Sequence, residues 1–532
     1  MTGMEHCWCG IQEKLFMHAL IAVLILLVAL MILGVFLTIK LGKGGISRYS
    51  SIVLVGGTLE QIATVGNASQ AAPGLLCLQK EVHIRIKVKS ATVRVKRGGE
   101  GAIVVVKANF PSSWESDNGS ITQIGQAGTH LLSGEVNVRF FHPFGRQGQP
   151  IDRGRVEITP DGQILVDKRV IKHSFEDDEL ELTIPDGFCG SLSVLNEGVG
   201  DVTIDEWNGG NLSLESSGGG DFSCGDLNAL QSLTIKVAGV GSTNLGRVES
   251  DSFSGTIDAG DFEATSLKAK SFWMHASGMG DISCDEIEVE QGELNLAADS
   301  NCNVSVSELR ATRELKIVSI GSGDVAIDAI RGGRFHLVFG SNSNFNGDIV
   351  ETDVFSFETD GTGDFSAAVV AAVHYLLFAL SAESKCNIYA QAFDSALIEV
   401  RSLGTGDVEV DAISGGDFAG RFESMSNLEV DDNIELSGKF VLEMLGTGDA
   451  SLPDIYVNAA EIASLDNACI DIAWLKGRTV LVRNAGSGTT EIESGEIDDL
   501  ELVSTNSGDI SACGTFAAVR TTRTNSGAVS IA

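Results

Sequence analysis

The chain has 532 residues with 72 acidic and 37 basic side chains, a net charge of −35, 62 glycines, 7 prolines and a hydrophobic content of 43%. Many glycines with so few prolines exclude a linker-like chain. Residues 187–532 hold 54 of the acidic and 18 of the basic side chains, and so acidic a surface repels phosphate, which excludes a nucleic-acid binder.

Residues 1–14 form a short tail in which Cys7-Trp8-Cys9 offers two thiols, too few for a metal site. Residues 15–39 are an almost unbroken apolar run, interrupted only by His18, Gly34 and Thr38. A run of that length crosses a bilayer with some tilt. It is too long for a signal-peptide core, and no small-x-small cleavage site follows it. It reads as an uncleaved single-pass transmembrane helix, so the membrane is the first expected partner. Lys40, Lys43 and Arg48 behind the span favour a cytoplasmic C-terminal side.

Residues 40–80 are low in charge, are punctuated by Gly56-Gly57 and Pro73-Gly74, and read as a linker carrying a strand or two. Residues 81–186 are expected to form a β-rich lead-in and capping region. There Val82, Ile84, Ile86 and Val88 alternate with His83, Arg85, Lys87 and Lys89, and Val93 and Val95 alternate with Arg94 and Lys96. Period two predicts strands with one apolar and one basic face. Close behind a membrane span, such a face can meet anionic headgroups at about 1 kcal/mol per residue. It can also pair with the acidic repeat or stay solvated. A further strand is expected at 103–107, a long Gly/Ser-rich loop over 111–135, and strands again at 136–141, 156–158, 164–166 and 180–184.

Residues 187–532 are built on a beat. Gly-x-Gly-Asp stands at Gly198-Val199-Gly200-Asp201, Gly278-Met279-Gly280-Asp281 and Gly321-Ser322-Gly323-Asp324. It returns at Gly361-Thr362-Gly363-Asp364, Gly404-Thr405-Gly406-Asp407 and Gly446-Thr447-Gly448-Asp449. Softer copies end at Asp221, Ser242, Asp261, Thr489, Asp509 and Ala528, and polar variants at Asn301, Asn344, Lys385, Asn427 and Ala468. The 17 marks lie about 20 residues apart, which signals a solenoid. Between marks the apolar residues fall at every second position, as in Val325, Ile327 or Phe335, Leu337, Phe339. Such a repeat is too short for a strand–helix–strand unit of about 30 residues, and it fits one rung of an all-β parallel β-helix. At a strand spacing of about 4.8 Å the rod would be about 80 Å long.

In the beat, glycine is expected to supply the backbone angles of a corner, and aspartate to accept turn N–H groups. The alternative is a Ca2+ ladder, but the calcium-binding β-roll repeats every nine residues. From Asp281 onward the aspartates also mostly skip alternate rungs, which relieves like-charge stacking without a cation. The turn reading is preferred and no cofactor is assigned.

Phe253, Phe272, Phe335, Phe355, Phe418 and Phe440 share nearly one phase and are read as an interior stack. Cys302, Cys386 and Cys469 recur four rungs apart, and Cys224 and Cys284 three rungs apart, too far for disulfides. His275, His336 and His374 share no phase. Intervals of 19 to 23 residues leave no long loop to wall a catalytic cleft, so no catalytic residue is assigned. Residues 367–380 carry no charge. Their phase sends Leu376, Phe378 and Leu380 inward and Tyr375 and Leu377 outward, a candidate lateral contact. The last copy, Asn525 to Ala528, is followed by Val529 and Ile531 without a polar cap, so the alternative to a monomeric rod is end-to-end polymerisation in the manner of bactofilins.

The beat followed by Val-x-Ile, as in Gly321 to Ile327 and Gly404 to Val410, resembles the repeat of the bacterial head-GIN domain auto-transporter adhesin family and its related adhesin β-helix domains. The resemblance covers about residues 180–532, with Leu180 to Gly187 as its lead-in. It implies a right-handed parallel β-helix in the bacterial cell envelope and supplies no catalytic residue. The expectation is therefore a non-catalytic, membrane-anchored, adhesin-like scaffold whose solenoid stands on the extracytoplasmic side, against the charge bias of residues 40–48. A β-helix enzyme acting on polysaccharide is the remote alternative.

Overall fold

The computed structural model describes residues 190–532, except Asp299, together with ten earlier strands between Ser50 and Ile184. Residues 15–39 and Lys89 lie outside the described residues. No helix among the described residues is long and apolar enough to cross a membrane.

The architecture is an all-β parallel solenoid of about 17 turns. Each turn pairs in parallel with the next, so one column runs Val202, Phe222, Thr243, Phe262, Ile282, Val304 and onward to Ile510 and Val529. The rung from Phe262 to Asp281 shows how sequence sets the shape. Its strand Phe262–Ala276 alternates inward and outward except at Thr265-Ser266 and Lys270-Ser271, where two successive residues face out. The alternation breaks where the chain bends. Three faces result: Phe262 and Ala264 bury under the first, Leu267 and Ala269 under the second, and Phe272, Met274 and Ala276 under the third. The Gly-x-Gly-Asp turn closes the rung.

The interior is a single apolar core. All six phase-matched phenylalanines are buried. Phe253 stacks on Phe272 at 5.6 Å and Phe418 on Phe440 at 5.1 Å. In mid-rod, Phe365 lies 4.9 Å from Phe345, 4.9 Å from Phe357 and 5.0 Å from Phe378. Such pairs contribute about 0.5–1.5 kcal/mol each beyond their buried area. In-register parallel pairing puts like side chains at stacking distance, so the phase match read in the sequence becomes contact.

The stack begins ahead of the repeat. His83–Val88 pairs in parallel with Ser191–Asn196, and Thr92–Arg97 with Val202 to Ile204. Glu179–Ile184 in turn pairs in parallel with Thr92–Arg97. The two basic strands are thus one rung of the rod, with Arg97 Nη1 3.1 Å from Glu206 Oε1. Ser50–Val55 and Ile103–Ala108 pair antiparallel at this end. The stretch expected to be a long loop contains a hairpin, Ser113–Asp117 with Ser120–Ile124, and the two residues between these strands in the sequence are Asn118-Gly119. Asn-Gly is the strongest short hairpin signal because both residues tolerate positive φ, and the surrounding Gly/Ser composition masked it. Val156–Ile158, Ile164–Val166 and Arg169–Ile171 form a separate antiparallel sheet.

Candidate functional site

The aspartate column is a ladder that ties rungs together. Asp201 Oδ1 accepts the backbone N–H of Asp221 at 3.0 Å, one rung on. Asp281 does the same for Asn303 at 3.0 Å, Asp324 for Asn344 at 3.1 Å, Asp364 for Asn387 at 2.9 Å, Asp407 for Asn427 at 2.9 Å and Asp449 for Cys469 at 2.9 Å. The expected hydrogen bonds therefore form, but across rungs and not within the turn that carries the aspartate.

Asparagine fills the rungs between. Asn303, Asn344, Asn387 and Asn427 each accept the next amide, at 2.7–3.0 Å. Each also donates Nδ2 to the preceding aspartate, at 2.8–3.0 Å. From Asp281 to Asp449 the column alternates strictly between aspartate and asparagine. The amide group supplies the donor that a second carboxylate lacks, so every aspartate gains a neutral, hydrogen-bonding neighbour where it would otherwise meet another charge.

This register corrects three marks. The partners of the ladder are Asn303, Asn387 and Cys469, and not Asn301, Lys385 and Ala468. The rungs before Asn303 and Asn387 are 22 and 23 residues long, and they lack glycines to mark the turn. Asn344 and Asn427 stand where the spacing put them.

The role of the glycines is also corrected. None of the Gly-x-Gly glycines has φ in the left-handed region; among the described glycines Gly332, Gly415 and Gly514 do. The beat needs glycine for clearance. A Cβ on Gly280 would lie 2.0 Å from the Gly260 carbonyl oxygen, and one on Gly278 would lie 1.1 Å from that of Asp258. For Gly321, Gly323, Gly361, Gly363, Gly404, Gly406, Gly446 and Gly448 the nearest carbonyl oxygen is 1.7–2.4 Å away. Alternate rungs place side chains there instead, such as Ser343 and Ser384. Their hydroxyls donate to the carbonyls of Gly321 and Gly361, at 3.2 Å each. Gly198 and Gly200 begin the same column, and their carbonyl oxygens face Gly218 and Gly220.

The ladder leaves each bonded Oδ1 occupied by an amide. Among the described residues no group of three or more His, Cys, Asp or Glu is placed to hold a metal ion. The four thiols of Cys224, Cys284, Cys302 and Cys386 are free and buried, and burial pushes each up to about 12. Cys469 and Cys513 are half-buried.

Leu376, Phe378 and Leu380 are buried as expected. Tyr375 and Leu377 lie on the outer surface, half-buried between neighbouring rungs. Tyr375 donates its hydroxyl to Glu399 at 2.6 Å, and burial together with that carboxylate pushes its phenol up to about 12. Of the basic candidates, Arg85 and Lys87 take register positions beside Ser193 and Leu195. Arg94 stands between Glu181 and Thr203, and Lys96 beside Thr183.

Two shallow grooves of about 540 Å³ each follow the second bend. The first is lined by Asp251, Lys268, Lys270 and Glu288, and its lysines are spent on Lys268–Glu288 at 2.9 Å and Lys270–Asp251 at 2.6 Å. The second carries Tyr456, whose ring lies 5.0 Å from Trp474, beside the Lys476–Glu496 pair at 2.9 Å. No family model matches the chain, and comparisons with curated proteins and with solved structures returned no match.

Proposed function

We propose that this chain is a non-catalytic scaffold of the bacterial cell envelope, anchored through residues 15–39 and presenting an acidic β-solenoid rod for binding to proteins or surfaces. The observation that carries the reading is the uniformity of the rungs. Successive ladder residues lie 19 to 23 positions apart over the whole rod, so each turn is spent on strands and bends and contributes to a continuous surface. The acidic excess of residues 187–532 keeps such a rod soluble and discourages lateral aggregation. The resemblance of Gly321 to Ile327 and Gly404 to Val410 to the head-GIN adhesin repeat supports the envelope placement.

The test is topological. Thr362→Cys and Thr447→Cys, each at the exposed centre of a turn, are labelled with a membrane-impermeant thiol reagent in cells whose outer membrane, if any, is permeabilised. Labelling in unlysed cells is expected. Labelling only after lysis would put the rod in the cytoplasm and overturn the envelope reading.

A further inference from the structure

We propose that the third face of the rod is where two copies of this chain lie side by side, parallel and in register. On each rung that face turns two side chains outward, at the second and fourth positions of its five-residue strand. The paired columns run from Ser193 and Leu195 through Trp273 and His275, Leu377 and Ala379, to Arg520 and Thr522. Of the rod's 54 acidic and 18 basic side chains, seven and six stand in these columns. The other surfaces keep 47 and 12. One face of a strongly acidic rod is therefore close to neutral, and two rods can approach there without the repulsion that acts everywhere else.

The cations on this face are Lys236, Lys316, Arg401, Arg421, Arg483 and Arg520. Between the charges it exposes part of Val318, Val338, Leu377, Val441, Leu481 and Val503. It is also the broadest of the three faces. Over the 13 rungs from Trp273 to Arg520 it measures about 60 Å by about 13 Å at strand spacings. That is about 800 Å² per partner, the contribution of one side to a standard interface.

The charge order selects the arrangement. A two-fold axis parallel to the rod sets the second position of each strand against the fourth position of the same rung in the other copy. Glu399 then meets Arg401, and Leu377 meets Ala379. No rung carries two like charges at these positions, so no rung opposes like charges across the axis. The arrangement follows from the rod itself and holds whether or not residues 15–39 are inserted in a membrane.

The experiment uses the full-length chain in detergent, with mass read by sedimentation. A dimer is expected. Arg401→Glu sets Glu399 against a second glutamate and should weaken the dimer at least about tenfold, and adding Glu399→Arg should restore it. Leu377→Asp together with Val338→Asp should weaken it about a hundredfold, whereas Ser283→Asp and Ser305→Asp on the first face should leave it intact. A monomeric wild type would overturn the proposal, since the face would then be covered by the same chain or left open. A dimer indifferent to both the Arg401 swap and the Leu377/Val338 pair would also overturn it, because association would then run through another segment.

Discussion

At the residue scale, the closeness of the rungs decides what each turn position tolerates. A Cβ on Gly406 would sit 1.7 Å from the carbonyl oxygen of Cys386, whereas one on Gly219 would find only Val240 and Val199 methyls at 3.7 and 4.0 Å. Gly406→Ala is therefore expected to cost about 1–3 kcal/mol through forced backbone displacement, with Gly219→Ala near neutral, as read from denaturant midpoints. Asn387→Asp removes the Nδ2 donor to Asp364, bonded at 3.0 Å, and places carboxylates on three adjacent rungs. A loss of about 1.5–3 kcal/mol is expected, smaller at high salt because screening weakens the new repulsion. A loss independent of salt would show that the ladder acts through geometry alone.

At the element scale, each rung is stabilised mainly by the rungs that touch it. Phe365 contacts aromatic rings on the preceding rung, Phe345 and Phe357, and on its own rung, Phe378, and Phe365→Ala should cost about 3–5 kcal/mol. Hydrogen exchange should show the lost protection confined to the rungs around residues 345–400, with Val480 to Leu502 still protected. The buried thiols add a pH dependence. Their acidity in the fold lies near 12, against an ordinary value of 9.0. Between those values the unfolded chain releases thiol protons that the fold retains, so their contribution is constant below pH 9 and falls as pH rises toward 12. Replacing Cys302 and Cys386 with alanine should reduce the alkaline fall in melting temperature. The strands were legible because inward positions such as Val325, Ile327 and Phe335 keep period two. The hairpin of Ser113–Asp117 with Ser120–Ile124 was not legible, because its polar surroundings read as loop.

At the scale of the whole molecule, the aspartate–asparagine ladder adds side-chain-to-backbone hydrogen bonds to the strand pairing and apolar core that join the rungs. Each bonded Oδ1 has an amide partner, so removing divalent cations with a chelator is expected to leave the melting temperature unchanged. A large fall would revive the Ca2+ reading of the Asp turns. The acidic excess is uneven around the rod. That follows from which outward columns the strand register assembles, and it is invisible in any linear window.

The sequence by itself determined the solenoid, its pitch of about 20 residues, the inward phenylalanines and the turn column, because stacking repeats a local pattern and local patterns survive in one dimension. Only the tertiary structure decided the partners. It moved the ladder to Asn303 and Asn387, since longer rungs break a fixed count but not a hydrogen-bond register. It showed that the beat's glycines serve clearance, because the atom they avoid belongs to the rung below. It also set Arg401 and Arg421 on one near-neutral face of an acidic rod, since residues 20 apart become neighbours only once the chain has wound.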